Sequence, residues 1–396
     1  MNSIMQPPRT CPSCGSPSIR DVVSLGNQPV LCNQLWPTAD AARLAPTIGI
    51  DLSFCPDCTL LANRSFQPDA IAYSTGYENA LHFSPRFRDF AEDLGRDLIA
   101  RHGLDGGQVV EIGCGDGYFL DLMKRNGVGS AIGFDPSMKD RPSEFTTSPD
   151  VQIVPELFRK GQLESDFDLL VCRHVLEHIT EPLTFMKDIR DAVGDRSCVL
   201  YFEVPNGEWI LKDCSIWDLI YEHVTYWTGP ALDTLFRRAG FKPLSIRSAY
   251  GGQFLSVEAV PDTGNTDYLP DAVIRQEMAE LQDSMRKRAE EKLAFWSGKI
   301  ADLSRGGRQA ALWGAGSKGI TFANALLGSG EYLTTLIDLN TRKHGQFIPG
   351  AGLPVVAPED LKDLPVSDVL VSNALYIDEI RRQLADLGVD GTVEAI

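Results

Sequence analysis

The 396-residue sequence predicts an α/β protein in three parts: a small four-cysteine module, a doubly wound parallel-sheet domain, and a second Rossmann-like α/β domain behind it. Two Cys-x-x-Cys pairs near the N-terminus, a glycine-rich turn at 109–117 and a second such turn at 311–319 carry this expectation. Hydrophobic residues make up 43% and charged residues 23%, ordinary globular proportions. The length exceeds the roughly 100–200 residues of a single domain.

Composition narrows the function classes. The formal net charge is −17 and no Lys/Arg block forms a phosphate-tracking stripe, so a nucleic-acid partner is not expected. No apolar run reaches the roughly 18 residues needed to span a bilayer. The segment 1–11 also lacks a signal-peptide core, so no membrane partner is expected and the expected location is cytoplasmic. Cys32, Cys114, Cys172, Cys198 and Cys214 are scattered without framework spacing, as in a reducing compartment.

The first part, 1–70, holds Cys11-Pro-Ser-Cys14 and Cys55-Pro-Asp-Cys58. Each pair presents two thiolates, and two such turns complete a closed tetrahedral site whose expected ion is a structural Zn2+. Two redox-active pairs are the alternative, although neither follows a strand of a thioredoxin-like pattern. The second part, 71–265, opens with a helix expected over 87–101 and continues with strands at 108–113, 131–135, 151–154, 167–172 and 197–205. Alternation of this kind implies a parallel sheet covered by helices on both faces. Two more β-rich runs, 244–250 and 254–260, joined by Gly251-Gly252-Gln253, read as a hairpin added to it. A linking helix is expected within 266–305, where Ile274, Met278, Leu281, Met285, Leu293, Trp296 and Ile300 keep a 3.6-residue period. The last part, 306–396, offers strands at 309–314, 334–339, 368–371 and 392–396.

The strongest functional signal is the run Val109-Val110-Glu111-Ile112-Gly113-Cys114-Gly115-Asp116-Gly117, followed at once by a helical pattern from Tyr118. Glycines let the backbone approach a ligand, and the helix N-terminus faces it. A dinucleotide turn reads Gly-x-Gly-x-x-Gly to meet a pyrophosphate, whereas here an acid, Glu111, precedes a Gly-x-Gly-x-Gly turn. That acid suits a cationic, phosphate-free ligand such as S-adenosylmethionine (SAM). Asp135 ends the next strand, where a carboxylate takes ribose hydroxyls. Together these resemble the first motif of class I methyltransferases. The run Phe167 to Ile179 is similar to their fourth strand and following loop, which brings His174 and His178 near the methyl donor.

Over nearly the whole chain, the order of four-cysteine knuckle, methyltransferase motif and Gly314-Ala315-Gly316-Ser317-Lys318-Gly319 resembles the deoxysugar C-methyltransferase family. Further echoes are Leu25 to Val30 with Asn33, Glu203-Val204-Pro205-Asn206, Glu222-His223 with Tyr226, and Lys343-His344-Gly345. The resemblance implies a zinc-binding N-terminal module, a SAM-binding middle domain, and a C-terminal domain that helps hold a nucleotide-linked keto sugar. It also implies base-assisted C-methylation, with His223 as the base, Glu222 as its neighbour and His178 as a second candidate near the sugar. Tyr77, before the first catalytic-domain helix, is expected to cover the cleft.

The sequence departs from the family at one important segment. Where the family reads Tyr-His-Glu-His, this chain has Ile220-Tyr221-Glu222-His223, so Tyr221 is the candidate to take over the lost tyrosine's work. Arg173-His174 stand where paired asparagines are usual, and Glu177 where alanine is. Asp338, about twenty residues beyond the C-terminal glycine turn, is placed to touch a ribose. The rival readings are O-methylation of a sugar or glycan hydroxyl, a dinucleotide-dependent oxidoreductase, and a non-catalytic SAM-binding protein.

Overall fold

The computed structural model describes residues 10–71, 80–139, 145, 148–159, 161–162 and 166–396. Tyr77 lies outside them.

The N-terminal part rests on antiparallel strands. In chain order these are β1 (Arg20–Pro29), β2 (Thr47–Phe54) and β3 (Leu61–Asn63), with a short α1 (Ala39–Arg43) between the first two. Val22, Ile50, Leu52, Phe54 and Leu61 are buried and form its core.

The middle domain begins with α2 (Pro85–His102), whose first turn is capped by Ser84 and whose end is turned by Gly103 at φ 63°. It continues through β4 (Gln108–Ile112), α3 (Tyr118–Arg125), β5 (Ser130–Phe134) and β6 (Val151–Val154). Next come β7 (Leu169–Arg173), α4 (Pro182–Val193), β8 (Val199–Pro205) and α5 (Gly207–Asp213). The remaining elements are β9 (Thr225–Tyr226), α6 (Gly229–Ala239), β10 (Phe241–Ala249) and β11 (Phe254–Pro261). Seven strands form one sheet in the order β10-β11-β8-β7-β4-β5-β6, parallel from β8 to β6 and antiparallel at the β10–β11 hairpin. Helices cover both faces, which is why β7 reads as the unbroken apolar run Leu169-Leu170-Val171-Cys172. The chain leaves β4 to one side for β5 and returns on the other as β7, so a crevice opens at the C-terminal strand ends.

β9 does not join that sheet. It pairs with β3, so the N-terminal sheet, β1-β2-β3-β9, takes its last strand from within the middle domain.

The 34-residue helix α7 (Ala272–Arg305) packs on β1 and α5. Met278, Met285, Trp296 and Ile300 are buried on the expected stripe, while Ile274, in the first turn ahead of it, is exposed. The C-terminal domain comprises β12 (Ala310–Trp313), α8 (Ser317–Ala325), β13 (Leu333–Ile337), β14 (Val355–Val356), β15 (Asp368–Val371), α9 (Ile377–Leu387) and β16 (Thr392–Ala395). Its five strands are all parallel, in the order β14-β13-β12-β15-β16. Trp217 and Trp296 both meet Phe322 of α8 edge-on, so one apolar core joins the N-terminal part, α7 and this domain. No helix among the described residues is long and apolar enough to cross a membrane.

Candidate active site

At the end of β4 the chain turns sharply. Gly113 at φ 74° is required twice over: its backbone is left-handed, and a Cβ there would meet Val175 Cγ2 at 2.2 Å. Gly115, at φ 53°, has nothing within 4 Å of where a Cβ would stand, so the turn presents open backbone to the crevice. Gly117 caps α3 at φ 87°. Asp135, just past β5, accepts the Gly115 N–H at 2.8 Å through one oxygen and the Ser137 N–H and hydroxyl at 2.9 and 2.6 Å through the other. Asp116 lies 3.9 Å from His82 and 3.8 Å from Arg342 of the C-terminal domain.

Glu111 is 3% exposed, and its Oε2 is buried without a hydrogen-bond partner. Burial pushes its pKa up to about 8, with Asp135, Asp116 and Glu203 adding to the effect and Arg173 opposing it. A buried acid with an orphaned oxygen at the mouth of an open glycine turn fits a cationic ligand, as SAM is.

Beside it sits a buried ion network that the sequence does not announce. Parallel register sets Arg173 opposite Glu203, and the guanidinium donates twice to Glu203 Oε1, at 3.0 and 2.9 Å. Tyr201 donates to the other oxygen at 3.0 Å, and Arg173 stacks over the Phe119 ring. His174, at φ 54°, lies 3.2 Å from Glu203 and 3.6 Å from Glu177. Burial works against its charge, yet the two glutamates prevail and lift its pKa to about 9. Burial also opposes the Glu203 carboxylate, but Arg173 and His174 hold its pKa down to about 2. Glu203 stood out in the sequence only as part of a motif; the signal for its role was the ionisable pair Arg173-His174 at the end of an apolar strand.

The same loop runs on from Val175, against Gly113, to His178. His178 Nδ1 donates to the Glu222 carbonyl at 3.0 Å, and its ring meets that of His223 edge-on at 4.9 Å. Val224 N–H in turn donates to the Glu177 carbonyl, so the two loops are fastened together. Burial keeps both imidazoles neutral, pushing His223 down to about 3. The Glu222 carboxyl points the other way, beside the Cys32 thiol, whose pKa burial and Glu222 raise.

Tyr221 is not with them. Its hydroxyl accepts the Gln67 N–H at 2.8 Å and donates to the Ser65 carbonyl at 3.2 Å, and its ring stacks on Phe66. This side chain packs against residues 65–67 of the N-terminal part. Ile220, Trp217, Tyr226 and Trp227 are likewise buried.

The four sulfurs of Cys11, Cys14, Cys55 and Cys58 lie within 4.8 Å of one another, in one cluster and not two separate pairs. Cys11 is 3.5 Å from Cys58 and Cys14 is 3.6 Å from Cys55. A tetrahedral ion with metal–sulfur bonds of about 2.3 Å sets sulfurs about 3.8 Å apart, so the cluster fits one.

Residues 85–246 match the family model described as a methyltransferase domain, and residues 276–393 match the C-methyltransferase C-terminal domain. The chain is a SAM-dependent methyltransferase that carries the C-terminal domain of C-methyltransferases. The C-methyltransferase NovU of Streptomyces niveus is 26% identical to it over 398 residues, covering 91% of this methyltransferase and 88% of that protein. A tRNA U34 carboxymethyltransferase of Campylobacter curvus (strain 525.92) is 28% identical over 160 residues, and the match spans 53% of that relative's length. Among solved structures, the magnesium protoporphyrin IX methyltransferase of Synechocystis PCC 6803 covers 45% of the methyltransferase and 84% of its own chain at 16% identity, with a TM-score of 0.34.

In the C-terminal domain Asp338 is already engaged: it accepts the Ala315 N–H at 3.0 Å and lies 3.2 Å from the buried Lys343 ammonium. Lys318, at the start of α8, reaches Gln253 of the β10–β11 turn and Asp218, both at 3.1 Å. Gln253 also exchanges two amide hydrogen bonds with Asn373.

Proposed function

We propose that the methyltransferase C-methylates a nucleotide-activated keto sugar, with His223 as the base. The observation that carries this reading is the half-buried, neutral His178–His223 pair, tied by one loop to the glycine turn after β4. A keto group acidifies the neighbouring C–H; the unprotonated His223 imidazole accepts that proton, and buried Glu177 stabilises the imidazolium. His178 lies across the ring and is the second candidate for proton transfer. Glu111, Gly113, Gly115, Asp116, Gly117, Asp135 and His174 hold SAM, which supplies the methyl group when bound. The Gly314–Lys318 turn, at the start of α8, takes the diphosphate. The cysteine cluster holds a structural Zn2+ with no open ligand position.

O-methylation of a sugar hydroxyl is the second reading, favoured by one observation: Ile220 removes the tyrosine donor that an enolate oxygen would use, and Tyr221 is turned away. Incubation with SAM and nucleotide-linked 4-keto and 4-hydroxy sugars in deuterated water, followed by mass spectrometry, separates the two. A methylated keto sugar with deuterium exchange at the adjacent carbon supports C-methylation. Methylation of a hydroxy sugar without exchange overturns it.

A further inference from the structure

The proposed base stands in a group of three side chains whose donor atoms also suit a metal ion. Glu177, His178 and His223 each offer one ligand atom, and these three atoms lie within 4.8 Å of one another. Glu177 is 1% exposed; one of its oxygens faces His174, and Oε2 is buried without a hydrogen-bond partner. Nδ1 of His223 is buried without one as well. Orphaned buried polar atoms are destabilising, so a ligand that met both would be favoured. His178 is oriented as metal-binding histidines are, with its Nδ1–H fixed on the Glu222 carbonyl at 3.0 Å. Two imidazoles and a carboxylate suit Zn2+, Co2+ or Fe2+, whereas Mg2+ and Ca2+ prefer all-oxygen sites.

We propose that Glu177, His178 and His223 form a second metal site, which binds one divalent transition ion and keeps at least one coordination position open. It is separate from the four-cysteine cluster in both place and chemistry. The carboxylate that completes it is one of the residues at which the sequence departs from the pattern it resembles, Glu177 in place of alanine. A metal ion here takes a lone pair of His223, so the metal-loaded and proton-accepting forms are alternatives, and excess metal switches turnover off.

Co2+ titrated into the purified, metal-replete protein without substrate tests the site independently of the base assignment. The expected result is one further equivalent bound, with visible ligand-field bands and no near-ultraviolet thiolate-to-cobalt band. Glu177→Ala, the shape-preserving Glu177→Gln and His178→Ala are each expected to abolish these bands, with circular dichroism confirming the fold. No binding beyond the cysteine cluster, a thiolate spectrum, or undiminished bands in a folded Glu177 variant would overturn the proposal.

Discussion

Between pH 6 and pH 7, SAM binding is expected to tighten about ninefold, and the cause is one carboxyl group. Glu111 has its pKa pushed up to about 8 by burial, so it is largely protonated across this window in the empty protein. A positively charged ligand beside it favours the carboxylate, and binding expels the proton. If the bound form is fully ionised, the apparent Kd follows 1 + 10^(8 − pH), which falls roughly ninefold from pH 6 to pH 7, with about 0.9 proton released at pH 7. The window stops there because α-amino groups titrate near pH 7.7–8.0, as roughly the ligand's own does. In the empty protein the same shift acts on stability: with its pKa raised above the unfolded value, Glu111 contributes stability that is present below about pH 4.5 and is lost as pH rises toward 8. Isothermal titration calorimetry in buffers of different ionisation heat measures both Kd and proton release. Glu111→Gln keeps the shape and is expected to remove the pH slope and the released proton. A wild-type Kd that is flat across the window, or an equal slope in the variant, would refute the reasoning.

Asp135→Ala removes the acceptor of the Gly115 N–H and the cap of the following turn, and is expected to weaken SAM binding by about 10- to 100-fold by calorimetry. His223→Ala is expected to abolish turnover and leave SAM binding intact; full activity in a turnover assay would remove His223 as the base. Arg173→Met strands Glu203 without its guanidinium and is expected to cost about 3–5 kcal/mol in urea unfolding. Cys55→Ser breaks the four-sulfur cluster and is expected to lower both the metal content, by elemental analysis, and the melting temperature.

The parallel strands were legible because a strand covered on both faces is a continuous apolar run; β6 and β15 fall where the sequence places them. β9 and β14 were not, since two residues carry no periodicity. The glycine turn after β4 was readable because its geometry is local: glycines, Glu111 and the start of α3 are adjacent in the chain. The Arg173–Glu203 pair was not, because it depends on the register between two strands thirty residues apart in sequence. The side on which Tyr221 lies was hidden for a related reason. Sequence gives its neighbours, but only the docking of 65–67 against that segment decides which way its hydroxyl points.

The pairing of β3 with β9 also sets an order of events during synthesis. All four cysteines have been made by residue 58, so the cluster can close early, yet the strand that finishes its sheet arrives about 160 residues later, roughly 10–30 s at common elongation rates. Until then Leu61 and its neighbours stand at an open strand edge, a template for wrong partners. The first part of the chain to be made thus stays unfinished until the middle domain is well under way, and the loop that completes it carries His223. A nascent chain that mispairs at that edge loses the proposed base together with the sheet.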